Sequence, residues 1–287
     1  MSTPLAALPR TAWRAARRQT RIDLRTNLLT GAGISYLITP VITIAVMIFL
    51  RDSTIMESTI SAAQHLLPGM LAFGLVIGGV MGVASELMME REDGTLLRMK
   101  AVPHGLQGFL AGKTLTHLLL NLVSAALIVI PAAIVFPDAA PANPASWLGL
   151  LTIFVVAVVV TIPLGALLGA ALRGYGQLGV GMLGAYGLSV ISGIFYPLAA
   201  LPAWLQVVGQ IFPMYWLGLG FRHAMLPAEA ALLELGGTWR TVEMVVVLGI
   251  WLVIGVVGAP IALRKMIRGV SGSKVAESRE RMLSQGY

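Results

Sequence analysis

Residues 88–114 read MMEREDGTLLRMKAVPHGLQGFLAGKT, a charged run set between two stretches apolar enough to cross a bilayer. Upstream, residues 66–85 carry no charged side chain, and downstream, residues 114–137 carry none either. A membrane-crossing helix needs about 20 mostly apolar residues. Both flanks therefore read as spans, and the run between them reads as a short polar connection on one face of a membrane. In a chain this apolar, it is where polar chemistry concentrates.

The composition makes the same point for the whole chain. Apolar residues make up 57% and charged residues 11% of the 287, with mean hydropathy +0.83. A soluble domain with these values would expose large apolar patches to water, so the chain reads as a polytopic membrane protein. The absence of cysteine excludes disulfides and thiolate metal sites. His65, His104, His117 and His223 are too scattered to suggest a metal cluster, and no metal or cofactor is expected on the chain. The net charge of +7 sits beside apolar stretches and reads as a topology signal, not as a nucleic-acid surface. The amino terminus lacks the short apolar core and small-residue cleavage site of a signal peptide, so its first apolar run is expected to stay in the membrane.

Intervals free of charge place six spans, at roughly 29–50, 66–87, 114–136, 147–172, 178–197 and 244–263. Pro141, Asn143 and Pro144 make a turn ahead of the fourth. With both termini in the cytoplasm, only Arg51, Arg222 and Arg240 of the 20 basic residues face outward. A seventh crossing would reverse the basic tail, 265–287, against the positive-inside tendency. Residues 202–222 are therefore expected to dip into the outer leaflet and return as a broken re-entrant element. Pro197, Pro202 and Pro213 interrupt it, and the freed backbone groups must find partners in protein or water. Ahead of the first span, residues 1–28 contain Arg14, Arg17, Arg18, Arg21 and Arg25 on one helical face, with Trp13, Ala16 and Leu24 along a flank. This predicts an amphipathic interfacial helix on anionic lipid, or else a solvated basic tail that sets topology.

In the charged run, Gly94 and Thr95 can open a short helix, Leu96, Leu97 and Met99 give it an apolar surface, and Pro103 ends it. At these residues the sequence resembles the permease subunits of type-2 ABC exporters, the daunorubicin-resistance permease group in particular. The shared run is Glu90-Arg91-Glu92-Asp93-Gly94-Thr95-Leu96, with Pro103 and then Gly112-Lys113 before the third span. A second similar stretch is Ser192-Gly193-Ile194-Phe195-Tyr196-Pro197, then Leu201-Pro202-Ala203-Trp204-Leu205, Pro213 and Arg222. Trp216 departs from the small polar or basic residue common there.

The resemblance implies a fold of six spans, 29–264, paired as a dimer with a second copy or a paralogue. Each permease would dock on a separate nucleotide-binding ATPase through the coupling helix after span two. ATP and Mg would then belong to that partner, and this chain would not be an enzyme. The stretch 107–114 ends Gly-Lys-Thr, but Gln107 replaces the first glycine of a phosphate loop and no strand precedes it.

The resemblance also implies that Tyr196, Pro197, Pro202, Pro213 and Arg222 form or brace an outer gate. For Arg222 and His223, an interfacial anchor that snorkels to water is the competing reading. Glu86 and Glu90 lie one turn apart at the inner end of span two, where Glu86 either anchors the charged loop through an arginine or sits at headgroup level. His117 and Asn121, one turn apart in span three, read as a polar point in a translocation path or as interhelical hydrogen bonding. Gly74, Gly78 and Gly82, with Gly165 and Gly169, read as close-packing stripes.

The resulting expectation is a permease in a bacterial plasma membrane, moving a hydrophobic or amphipathic drug, antibiotic or lipid outward with ATP. Export of a polysaccharide or other envelope precursor is an alternative, although the 7% aromatic content is low for a sugar path. A lipid-handling enzyme would need a nucleophile with a base or paired intramembrane carboxylates, and an ion-driven transporter would need midplane ionisable groups or internal repeats. Neither pattern is evident.

Overall fold

A computed structural model describes residues 10–29, 33–55, 60–95, 98, 105–172 and 174–269. The expected docking residues Leu96, Leu97 and Pro103 lie outside the described residues, as does most of the tail. The described chain is helical throughout. Helix α1 is Arg10–Leu29, α2 is Gly33–Phe49 and α3 is Ala62–Glu92. Then follow α4, Gly105–Val135, α5, Pro144–Ala171, and α6, Tyr175–Val190. Two short helices, α7, Ala203–Ile211, and α8, Pro213–Met225, precede α9, Thr241–Gly269.

Four of these contain stretches long and apolar enough to cross a membrane: Ala62–Glu92, Ala111–Val135, Pro144–Ala171 and Thr241–Arg268. The expected first and fifth spans hold shorter helices, α2 with 17 residues and α6 with 16. At 1.5 Å per residue, α6 reaches ~24 Å against the ~30 Å of a hydrocarbon core. It stops at Val190 and not near Pro197 for local reasons. Ser189 and Ser192 donate to the Tyr186 and Leu188 carbonyls, and Gly193 turns the chain at φ +67.

Helix α3 is the central element, and its caps explain where it starts. The Ser61 hydroxyl accepts from the Gln64 N–H while the Gln64 side chain accepts from the Ser61 N–H, a reciprocal capping box. Residues Ile77–Gly82 in its middle are π-helical. There α3 meets α5 closely: a Cβ at Gly165 would strike the Gly79 and Val80 carbonyls, and one at Gly169 would strike the Ala84 backbone. Gly78 instead faces Asn121, and Gly74 faces open space.

The stretch after α6 bends twice. Chain direction changes at Phe212, between α7 and α8. The carbonyls freed at that break find indole donors, Trp216 Nε1 to Gln210 at 2.7 Å and Trp251 Nε1 to Ile211 at 2.9 Å. Helix α8 is buried on every side from Pro213 to Arg222, packed among α3, α5 and α9. Apart from Arg222 that stretch is apolar or aromatic on every side, as suits a helix in a core.

Candidate functional site

The polar residues singled out in the sequence separate into two buried clusters at opposite ends of α3. The first is built on Gly112-Lys113. Gly112 lets α1 lie directly on α4: a Cβ there would stand 3.1 Å from both the Ala16 carbonyl oxygen and Gln19 Cβ. The contact strip of α1 is Ala16, Thr20 and Asp23, which share one helical face and are all buried. Arg14, Arg17, Arg18, Arg21 and Arg25 fall on the opposite face and are exposed. The Thr20 and Thr116 hydroxyls both donate to the Gly112 carbonyl, at 3.0 and 2.9 Å. Of the flank seen in the sequence, Ala16 lies in this strip against protein, while Trp13 is exposed and Leu24 half-buried.

One residue further on, the Lys113 ammonium is surrounded by carboxylates. It lies 2.6 Å from Glu86 Oε1, 2.7 Å from Glu90 Oε1 and 3.0 Å from Asp23 Oδ2. Asp23 is held in place by the Gln19 amide at 2.9 Å. His117 Nε2 meets the other Glu86 oxygen at 2.6 Å. Since an ionised carboxylate only accepts, that pairing puts the imidazole proton on Nε2. Glu86 therefore anchors to a lysine and a histidine of α4, not to an arginine.

Glu90, counted in the sequence with the docking loop, is buried and turned toward Lys113. The loop proper begins after it. Arg91 donates to the Leu172 carbonyl at 2.7 Å, fastening the end of α3 to the α5–α6 turn. The Tyr175 hydroxyl at the start of α6 pairs with Glu92; partial burial first, then that carboxylate, raises its pKa. Asp93 is exposed and its Oδ1 accepts from the Thr95 N–H at 2.7 Å, while Gly94 takes φ +79. Arg98, also exposed, returns to the Thr95 hydroxyl at 3.0 Å.

Of the two translocation-path candidates, His117 lines a cavity that Asn121 does not reach. That cavity, about 500 Å³, lies between α3, α4, α5 and α9, with Glu86, Glu90 and Lys113 also on its wall. Asn121 donates to the His117 carbonyl of its own helix at 2.7 Å, with its oxygen under Gly78. The interhelical bond considered for it is not the one it makes.

The second cluster is at the other end. Arg222, fully buried, donates from Nε and Nη2 to the Glu234 carboxylate and from Nη1 to the Gly193 carbonyl at 2.9 Å. A side chain with no exposure does not snorkel, so the anchor reading for Arg222 fails. Of the other outer candidates, Pro197 and Pro213 are buried, Tyr196 is half-buried and Pro202 is exposed. His223 stacks on Trp239, and Arg240 lies 5.0 Å over the Trp216 ring while bonding Gln210. Trp216, the departure from the resembled pattern, thus has a cation of its own to hold.

A family model described as ABC-2 family transporter protein matches residues 30–264. The chain belongs to that family. The family is a membrane component of transport and not itself a catalyst, and membership implies pairing with an ATPase subunit. Together with the four long apolar helices, it makes this ABC-2 chain a multi-pass membrane protein. No curated protein matches the chain.

Two residues of the ABC-2 chain's clusters escaped the sequence reading. Asp23 is the sole acidic residue among the first 50, set in an arginine-rich helix opposite the arginines, and that isolation was the available signal. Glu234 had none, since nothing in its spacing ties it to Arg222.

Proposed function

We propose that this chain is the membrane subunit of an ATP-driven exporter that carries a hydrophobic or amphipathic compound outward. It works with a separate ATPase subunit, which binds ATP and Mg, and with a second permease, identical or paralogous. The observation that supports this most is where the Lys113 cluster sits. The polar turn leaves α3 directly beyond Glu90, and Lys113 ties that end of α3 to both α4 and α1. A displacement of the turn by a docked ATPase is thereby delivered to three helices together. Closure of the nucleotide-bound ATPase pair would move this unit against α5 and α9 and release substrate outward. On the far side, the Arg222–Glu234–Gly193 brace holds the broken outer element and acts as its gate.

The orientation that goes with this reading puts both termini and the segment from Arg91 to Lys113 in the bacterial cytoplasm. A cysteine at Ser273, unique in a cysteine-free chain, should stay unlabelled from outside intact cells. Coupling is tested by Gly94→Pro and by the double change Leu96→Asp, Leu97→Asp. Either should abolish transport and substrate-stimulated ATP hydrolysis while the permease still inserts and pairs. Hydrolysis by the isolated ATPase should not change. Transport at the normal rate in these variants would reduce the turn to a topology-setting linker and remove the main support for the proposal.

A further inference from the structure

The cavity beside Lys113 has two kinds of wall. One end carries Glu86, Glu90, Lys113 and His117; the rest is aliphatic, from Val83 and Leu87 on α3 to Val158, Ile162 and Leu263 on α5 and α9. Val155, Val159 and Val256 also line it and are about half exposed, with exposed Thr114 of α4 beside them, so its mouth is mainly apolar and opens sideways among α4, α5 and α9. In a membrane protein that direction is lipid, not water. Its volume of about 500 Å³ falls in the range of small-ligand sites, roughly 300–1,000 Å³.

The charged end selects by hydrogen-bond capacity. An ammonium has three donors, and Lys113 has three carboxylate oxygens within 3.0 Å. It has no donor to spare for an incoming anion. Glu86 differs. A carboxylate has about four acceptor positions, and Glu86 is given one partner on each oxygen, Lys113 and His117. It is also the most exposed of the three carboxylates, at 21% against 10% for Glu90 and 11% for Asp23. The unused acceptor positions therefore belong to a cavity-lining carboxylate, within a group where three carboxylates meet one lysine and one histidine.

We infer that this cavity is a binding site for a single-chain amphiphile with a protonated amine head, entered sideways from the bilayer, the ammonium on Glu86 and the chain along the α5–α9 wall. That the occupant is cargo rests on the export reading, but the binding itself does not. It is tested without ATP or partner.

The test uses the full chain in lipid nanodiscs at neutral pH and three photoreactive probes: a dodecylamine bearing a terminal diazirine, and the matching alcohol and carboxylate. The amine should label peptides containing Val155, Val159 or Val256 about tenfold more than the alcohol, the selectivity of one charge contact of ordinary strength. The carboxylate should label least. Glu86→Gln should bring the amine down to the level of the alcohol, and Val159→Trp, which narrows the mouth without touching the charged end, should suppress both. Should Glu86→Gln fail to purify as a monodisperse species, the comparison of heads on the unaltered protein still decides.

Equal labelling by all three heads, or amine labelling that Glu86→Gln leaves unchanged, would overturn the inference and leave a lipid-filled fissure. Such a result would not touch the export reading, which stands or falls with the coupling variants.

Discussion

Lys113→Met removes one ammonium from three carboxylates and keeps the length of the side chain. Each contact, at 2.6 to 3.0 Å, is worth several kcal/mol of gross attraction at an effective dielectric of about 20, most of which the desolvation of four charges cancels. What survives on losing one partner of a buried pair is about 3–5 kcal/mol, because the others remain buried and uncompensated. These side chains keep between 10% and 21% of their exposure, which favours the lower end, about 3 kcal/mol.

Of the three Lys113 contacts only the one to Asp23 reaches α1, so about a third of that loss, ~1 kcal/mol or a factor of ~5–10, falls on the docking of α1. Limited trypsin digestion reads this directly, since Arg14 to Arg25 line the outer face of α1 and cleavage there requires the helix to open. Lys113→Met and Asp23→Asn should each speed cleavage within α1 by about five- to tenfold, and the double change by no more than the faster single one, because both break the same contact. Cleavage unchanged in both singles would refute the docking role. So would effects that multiply in the double variant, which would mean that the two residues act independently.

Gly112→Ala should loosen α1 slightly, since its Cβ needs the Ala16 and Gln19 contacts at 3.1 Å to yield a few tenths of an ångström, whereas Gly112→Leu should undock α1 and bring cleavage to the rate of an unpacked helix. Glu234→Gln should lower the stability of the detergent-solubilised protein by about 3–5 kcal/mol, seen as a fall in Tm, and the double change Arg222→Met, Glu234→Met should recover most of it. Gly94→Ala, forced into φ +79, should cost about 1–2 kcal/mol of local turn stability and weaken capture of the ATPase subunit in a pull-down while membrane insertion is unaltered.

The long apolar helices were legible because a span is a property of composition over a window of residues, and composition survives without knowledge of neighbours. The 16-residue limit of α6 was not, because it depends on two serine hydroxyls bonding back to carbonyls and on one glycine with positive φ. Glu86 and Glu90 drew notice in the sequence as a polar pair at the end of a span. Their partner, however, lies 27 residues from Glu86 on another helix, and a one-dimensional reading defaults to the loop's own arginines. The charged run similarly suggested that every acid in it faces water. The structure divides it at Glu90, whose side chain continues the buried face of α3 while Asp93 begins the surface. Asp23 was hidden by its company: five arginines dominate the pattern of α1, and the strip that binds α4 consists of residues too small to register as an apolar face.

What joins the two clusters is α3 itself. Its first turns are packed where Gly69 meets the Ile194 backbone, beside the Gly193 carbonyl that Arg222 holds. Its last turns carry Glu86 and Glu90 on Lys113. The Glu90 end is thus fixed by buried charge and the Gly69 end by packing on the backbone next to Gly193, and a buried charge pair resists gradual distortion because a lengthened contact loses its compensation before it gains any solvent. Between them lies Ile77–Gly82, a π-helical segment with three glycines, where backbone bonds are wider spaced and side chains least restrain bending. If the coupling proposed above holds, a displacement applied at the Glu90 end should bend α3 at Ile77–Gly82 before it breaks the Lys113 cluster. The close contacts of Gly165 and Gly169 with Val80 and Ala84 put α5 against that same segment and the turn below it, so a bend there is passed to the wall of the cavity that Val158 and Ile162 of α5 form.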